Sequence, residues 1–261
     1  MQTAMHHIKD DLAYCQICGQ PRQQHIEWMG ETKLITIPCR CDEEREQIKK
    51  EKEAIRAIQK TAQKNRKECF QTAPFYASAT FSNDDGKSPA TTQLCYRYAE
   101  TFEAHEPHGL LLWGGVGTGK SYASACIANE VIEHGYTALF TDITTLVHEL
   151  ENFDNKHKVL TTLAHVDLLC LEDFGVERGS EYMASQIYTI IDTRYKSGKP
   201  FIITTNLNLD TLTHAPSTHP LCRVYDRLLE RCFPLEFCVQ RRRQQAANMR
   251  TSMKKRLGIT S

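Results

Sequence analysis

From Gly109 onward, short apolar runs alternate with segments of helical periodicity. The runs are Leu110-Leu111-Leu112-Trp113, Ala138-Leu139-Phe140, Asp167–Leu171 and Phe201–Thr205; helical patterns begin at Ser121 and pass through Leu146–Leu150 and Met183–Tyr195. Runs this short and this continuously apolar predict strands buried on both faces. Their alternation with helices predicts an α/β parallel sheet with helices on both sides. The chain ahead of Gly109 reads differently. Residues 71–93 contain Pro74, Asp84-Asp85-Gly86 and Pro89, the punctuation of a linker and lead-in loop. Asp42 to Cys69 is dense in Glu, Lys, Arg, Gln and Ala and has no Gly or Pro, which predicts a helix. Its sparse apolar positions, Ile48, Ile55 and Ile58, make that helix mostly exposed and available to a partner. Residues 1–41 are strand-poor, with Leu34–Ile37 as one arm of a hairpin. The expected organisation is therefore 1–41, 42–93 and 94–261.

Length and composition sharpen this picture. A chain of 261 residues holds one α/β domain and a small appendage. No apolar run approaches the roughly 18 residues of a membrane span, and Met1 to Leu12 lacks an apolar signal core, so a soluble, cytoplasmic protein is expected. The 32 basic residues balance 32 acidic ones, which excludes a whole-protein electrostatic grip on nucleic acid. One local excess remains. From Phe237 to Ser261 there is no acid, while Arg241, Arg242, Arg243, Arg250, Lys254, Lys255 and Arg256 are cations. Such a tail either contacts phosphate or is a solvated surface.

The eleven cysteines are an odd number in a chain with no export signal, so metal binding is a better use for clustered ones than disulfides. Cys15-Gln-Ile-Cys18-Gly19, then Cys39-Arg-Cys41, is a four-thiolate set with knuckle spacing, and zinc is the metal it suits. The tighter Cys39-x-Cys41 half leaves either Cys41 or a histidine such as His25 as the fourth ligand. Without a metal, residues 1–41 lack the core to fold alone. The other seven cysteines fall within apolar patterns and read as small core residues.

The strongest chemical signal follows the first apolar run. Gly114-Gly115-Val116-Gly117-Thr118-Gly119-Lys120-Ser121 lies between a strand and a helix, the setting of a phosphate-binding loop. Backbone N–H groups curl around phosphates, the helix N-terminus favours anions, Lys120 neutralises β/γ charge and the Ser121 hydroxyl ligates Mg²⁺. ATP with Mg²⁺ is the expected ligand. Such a site needs acids at the end of a second buried strand, and Glu172-Asp173 emerge there after Leu168–Leu171. Asn206, after Phe201–Thr205, can hold a water beside the γ-phosphate. Arg223 and Arg227, four apart on one helix face, offer an arginine finger for a neighbouring subunit; one of them could instead pair with Asp226 or Glu230.

Together these residues resemble the helicase-loader branch of the AAA+ ATPases, the DnaC/DnaI-like proteins, and more distantly the IstB-like transposition helpers. The resemblance rests on Thr80-Phe81, Gly114–Ser121, Leu168–Gly175, Thr204-Thr205-Asn206 and Arg223–Leu228. It implies an AAA+ P-loop sheet with a small N-terminal zinc-binding domain that docks on a DnaB-type replicative helicase. It implies ATP hydrolysis, self-association through the ATP site and loading of the helicase onto single-stranded DNA. In that reading Glu172 holds magnesium, Asp173 and Asn206 position water, Arg223 acts in trans and Arg227 is a further γ-phosphate contact. The alternatives are an IstB-like transposition helper, which as a family lacks the cysteine set, and a nucleotide-gated adaptor with little turnover. Two departures matter. The family usually reads Asp-Asp or Asp-Glu where this chain has Glu172-Asp173, so hydrolysis is expected to be slow. Val239-Gln240-Arg241 stands where a terminal Ser-Tyr-Arg element would fall. Lys156, His157 and Lys158, within 143–165, and the basic tail are the candidate DNA contacts.

Overall fold

The computed structural model describes residues 6–9, 11–84, 86, 89–175, 181–238 and 242–257. The chain divides into two compact units, Met1–Lys60 and Thr61–Ser261.

In the first unit, β1 (His6–Lys9) pairs antiparallel with β2 (Leu12–Cys15), and β3 (Gln23–Trp28) with β4 (Glu31–Thr36). Met29 and Gly30 close the second hairpin, both at positive φ (53° and 80°), the backbone of a tight two-residue turn. Its register sets His25 opposite Leu34 and Trp28 opposite Glu31. The sequence showed only the Leu34–Ile37 arm, because β1 and β3 are largely polar and the four residues of β2 are too few to show a period. Helix α1 (Arg40–Cys69) follows. Among the described residues of this unit, Cys15 and Cys39 are the only buried apolar side chains. A hydrophobic core cannot hold so small a unit together.

The second unit runs α2 (Pro89–Glu100), β5 (Gly109–Trp113), α3 (Lys120–Glu133), β6 (Ala138–Asp142), α4 (Ile143–Glu151), α5 (Phe153–His165), β7 (Leu168–Phe174), α6 (Glu181–Ser197), β8 (Phe201–Thr205), α7 (Leu209–Thr213), α8 (Cys222–Arg231), β9 (Cys232–Glu236) and α9 (Arg242–Arg256). Five strands pair in the order β6-β7-β8-β5-β9, all parallel. The expected parallel α/β sheet is present, with an added strand. Strand β9 was not legible because Pro234 interrupts its pattern, and proline is tolerated where β9 lies, at a sheet edge.

Alternate residues feed two cores. Leu110, Leu112, Leu168, Cys170 and Ile202 face one core, with α2, α3 and the last turns of α1. Leu111, Leu169, Leu171, Phe201 and Ile203 face the other, with α4, α5, α6 and α8. Burial on both faces explains why the strands read as continuous apolar runs.

Two polar devices hold the sheet. At its β6 edge, Thr72 Oγ1 donates to Phe140 O at 3.4 Å, and the Phe140 backbone hydrogen-bonds the Cys69 sulfur. At the strand starts, the fully buried Arg194 of α6 donates to four carbonyl oxygens: Leu163 (2.9 Å), Val166 (2.6 Å), Asp167 (2.8 Å) and Pro200 (3.1 Å). Val166 and Asp167 lead into β7, and Pro200 leads into β8.

Candidate functional site

The loop Gly114–Gly119 joins β5 to α3 at the C-terminal end of the sheet, where open α/β sheets bind ligands. Gly114 has φ +139°, and a Cβ there would lie 2.3 Å from the Phe237 carbonyl oxygen, so only glycine fits against the end of β9. Gly119, at φ +100°, is the residue before α3, whose first N–H groups have no helical partners and are available to an anion.

A cavity of 510 Å³ opens over this loop. Val116, Gly117, Thr118, Gly119, Lys120 and Ser121 line one part, with Asp173 and Asn206 beside them. Phe75, Tyr76, Asn83, Asp84 and Tyr122 line the rest. Gly114 and Gly115 act through their carbonyls instead. Lys120 Nζ donates to Gly114 O (2.8 Å), Gly115 O (2.9 Å) and Asn206 Oδ1 (2.9 Å). The lysine and the asparagine expected at the γ-phosphate are thus in direct contact, 86 residues apart in sequence.

Glu172 and Asp173 have opposite environments. Glu172 is 6% exposed, and burial pushes its carboxyl up to about 7 against the hydroxyls of Ser121, Ser124 and Thr204 beside it. Thr204 Oγ1 donates to Glu172 Oε2 (3.0 Å) and accepts from the Asp173 N–H (3.0 Å). Oε1 is buried without a hydrogen-bond partner. Asp173 is exposed on the cavity wall at φ +54°, a left-handed conformation that aspartate and asparagine tolerate better than glutamate. The ladder between β7 and β8 is irregular between Leu171 and Phe174 at this point. The backbone therefore gives a physical reason for the short acid standing second.

The arginines of α8 separate. Arg223 is exposed and has no hydrogen-bond or ion-pair partner among the described residues. Arg227 is held by α6: its guanidinium lies 2.6 Å from Asp192 Oδ1, donates to Tyr188 Oη at 3.0 Å and covers the Tyr188 ring at 4.5 Å. Neither lines the cavity, and Arg227 pairs with Asp192 rather than with Asp226 or Glu230. Lys156, His157 and Lys158 are exposed on α5, and Arg250, Lys254, Lys255 and Arg256 on α9. Val239, Gln240 and Arg241 lie outside the described residues, as do the side chains of Arg242 and Arg243.

In the first unit the sulfurs of Cys15, Cys18, Cys39 and Cys41 lie within 4.8 Å of one another. Zinc with Zn–S bonds of about 2.3 Å spaces tetrahedral sulfurs about 3.8 Å apart, so the set could hold one zinc ion after a small contraction. Backbone hydrogen bonds from Cys18 and Ile17 pull the Cys15 thiol down to about 6, while burial pushes Cys39 up and the Cys18 thiol with burial pushes Cys41 up, so in the absence of a cation one thiolate is favoured and not four. Gly19, at φ +70°, closes the first turn. His25 sits in β3 outside the cluster, so Cys41 completes the set.

Sequence reasoning missed Phe75, Tyr76, Asn83 and Asp84, which fell in the residues read as a linker. Only the Thr80-Phe81 element hinted at that wall.

The profile of the IstB-like ATP binding proteins matches residues 44–250. The replicative helicase loader DnaC of Escherichia coli K12 is 28% identical over 149 residues, 54% of this chain and 60% of that protein. An ATP-binding protein of insertion sequence IS1162 from Pseudomonas fluorescens is 31% identical over 150 residues, 56% of this chain and 64% of that protein. Each match thus spans less than two thirds of its curated relative. The crystal structure of the DnaC helicase loader superposes with a TM-score of 0.56 at 24% identity, covering 63% of this chain and 99% of that one. The fold is that of the AAA+ domains. Among the described residues, no helix is long and apolar enough to cross a membrane.

Proposed function

The chain belongs to the family of IstB-like ATP binding proteins, and from that premise we propose that it is an ATP-dependent loader of a DnaB-type replicative helicase onto single-stranded DNA. The observation that carries the reading is the meeting of Lys120, Asn206 and Asp173, from three separate segments, at one cavity above the glycine loop, with Glu172 buried beside them against Thr204. Similarity to the DnaC loader supports the choice among uses of that site.

The buried, unpartnered Glu172 Oε1, with Ser121 and Ser124 beside it, fits a cation-bound ligand, so Ser121 and Glu172 would hold Mg²⁺. Bound there, magnesium supplies charge neutralisation on the β- and γ-phosphates. Lys120 exchanges its contacts with Gly114 O and Gly115 O for phosphate oxygens while staying beside Asn206. Asn206 orients a water toward the γ-phosphate, and the exposed Asp173 carboxylate accepts its proton. Thr204 holds the Glu172 carboxylate and the backbone N–H of Asp173. Arg223 of one subunit faces its neighbour's γ-phosphate, which requires self-association through the ATP site. Residues 1–41, closed by zinc on the four thiolates, form the helicase-docking domain and 94–261 the ATPase domain; the 42–93 segment connects them and also lends Phe75, Tyr76, Asn83 and Asp84 to the nucleotide cavity.

The test is co-purification of the full chain with a DnaB-type helicase, followed by ATP-dependent transfer of that helicase to circular single-stranded DNA. Absence of a complex removes the main support. The IS1162 relative favours a second reading, a transposition helper, for which duplex DNA and a transposase would be retained instead.

A further inference from the structure

We infer that Asn129, held by Arg66, is a positioning residue for the part of the nucleotide cavity that does not touch phosphate; the inference rests on the nucleotide reading above. Asn129 lies on α3 and is 4% exposed. Its neighbours Ala125, Cys126, Ile127, Ala128, Val131 and Ile132 are buried and apolar, so an amide there is costly unless each of its polar atoms is satisfied. They are satisfied. Nδ2 lies 3.0 Å from Tyr76 O, 3.0 Å from Ala79 O and 3.0 Å from Ala125 O, and Oδ1 accepts from Arg66 Nε at 2.9 Å. The opposite amide orientation would set an oxygen against three carbonyl oxygens and an NH₂ against a guanidinium, so this one is determined. Arg66 is itself fixed by an ion pair with Glu133.

The two carbonyls outside α3 locate the role. Tyr76 lines the cavity beside Phe75. Ala79 precedes Thr80, whose carbonyl accepts from the Tyr122 hydroxyl at 3.1 Å, and Tyr122 also lines the cavity. One buried amide therefore pins residues 76–79 onto α3, and Tyr122 continues the attachment at Thr80. The phosphate loop is placed by other means: the end of β5, the start of α3 and the fit of Gly114 against Phe237. Asn129 thus sets one wall without setting the other. ATP presents base and ribose as well as phosphates, whereas inorganic triphosphate presents phosphates alone. The ratio of their affinities reports on the wall Asn129 holds.

Calorimetric titration of the full chain with ATP and with inorganic triphosphate, each with Mg²⁺, tests this on the wild type, Asn129→Leu and Arg66→Met. Asn129→Leu is expected to weaken ATP about tenfold, from loss of two buried hydrogen bonds to the wall, and to leave triphosphate within about twofold. Arg66→Met, which frees the amide without removing it, is expected to weaken ATP about threefold with triphosphate again unchanged. Equal weakening of both ligands would mean that Asn129 supports the whole domain and not the wall, and no change in either would mean that the wall holds itself; both overturn the inference. If Asn129→Leu does not fold, the ratio in Arg66→Met decides on the same terms. A wild type that binds neither ligand overturns the nucleotide reading itself, a result distinct from unchanged variants of a wild type that binds both.

Discussion

Replacing Arg194 with methionine keeps much of its bulk and removes every donor. Burial pushes the guanidinium down to about 10, so it remains a cation at neutral pH and its hydrogen bonds to Leu163, Val166, Asp167 and Pro200 are charge-assisted. In Arg194→Met four carbonyls lose this donor. At about 1.5 kcal/mol for each, the low end for charge-assisted bonds, the loss is about 6 kcal/mol; relief from burying a cation offsets about half, leaving about 3 kcal/mol. A domain of about 200 residues loses roughly 2–4 °C per kcal/mol, so its calorimetric transition should fall by about 6–12 °C. Lys196→Met on the same helix breaks only an ion pair with Asp192 whose lysine side chain is 73% exposed, and should cost about 0.5 kcal/mol or less. The contacts of Arg194 lie before β7 and β8, while Glu172 and Asn206 lie at or beyond the other ends of those strands. Below the transition, ATP affinity should therefore match the wild type. An Arg194→Met transition within about 2 °C of the wild type would refute the reasoning, because it would mean that those carbonyls do not depend on the guanidinium.

Four further outcomes are expected. Asp173→Asn, which tolerates φ +54°, should keep ATP binding and lower hydrolysis at least about 100-fold in a steady-state phosphate-release assay; unchanged turnover would remove Asp173 from the chemistry. Arg223→Ala and Lys120→Ala should each be inactive alone and recover part of the ATPase activity when mixed, whereas a mixture as inactive as its parts would argue against a finger acting in trans. Gently purified protein should carry about one zinc per chain and lose it in Cys39→Ser, as read by elemental analysis; near-zero zinc in the wild type rejects the cysteine site. Burial pushes the Asp167 carboxyl up, but the Thr137 N–H and hydroxyl and the Lys199 ammonium outweigh it and hold the group below its ordinary value. Its stabilising contribution is complete above the ordinary carboxylate pKa of about 3.9 and is lost as pH falls through the lower folded-state value. Asp167→Asn should therefore be less stable than wild type at pH 7, with the gap closing in acid; a gap constant with pH contradicts this.

Features written in consecutive residues were legible in the sequence. The glycine loop with Lys120 and Ser121, the Glu172-Asp173 pair and four apolar strands are local patterns, and a strand buried on both faces needs no partner to be recognised. Pairwise tertiary features were not legible. Arg194 has the composition of an exposed helical residue and becomes buried only because two strand starts present carbonyls to it. Arg227 shares a helix face with Arg223, but α6 brings Asp192 and Tyr188 to it. Asn129 is a polar residue on the buried face of α3, among Ala125, Ala128 and Ile132, and has no partner until residues 76–79 fold over it. The short arms of the two hairpins in the first unit, polar in β1 and β3 and only four residues long in β2, gave no period to read.

The contacts that Cys69 and Thr72 make along β6 bear on how this molecule can be divided. They occupy backbone groups of Phe140 that an edge strand would otherwise present to another chain, and Ala62, Cys69 and Phe70 are buried beside them. A fragment begun at residue 94, where the apolar pattern suggests the ATPase domain starts, would expose that edge together with the apolar surface under α1. It would tend to self-associate by strand pairing, and aggregates of such a fragment would not test the self-association through the ATP site proposed above. A fragment begun near Thr61 keeps the edge sealed.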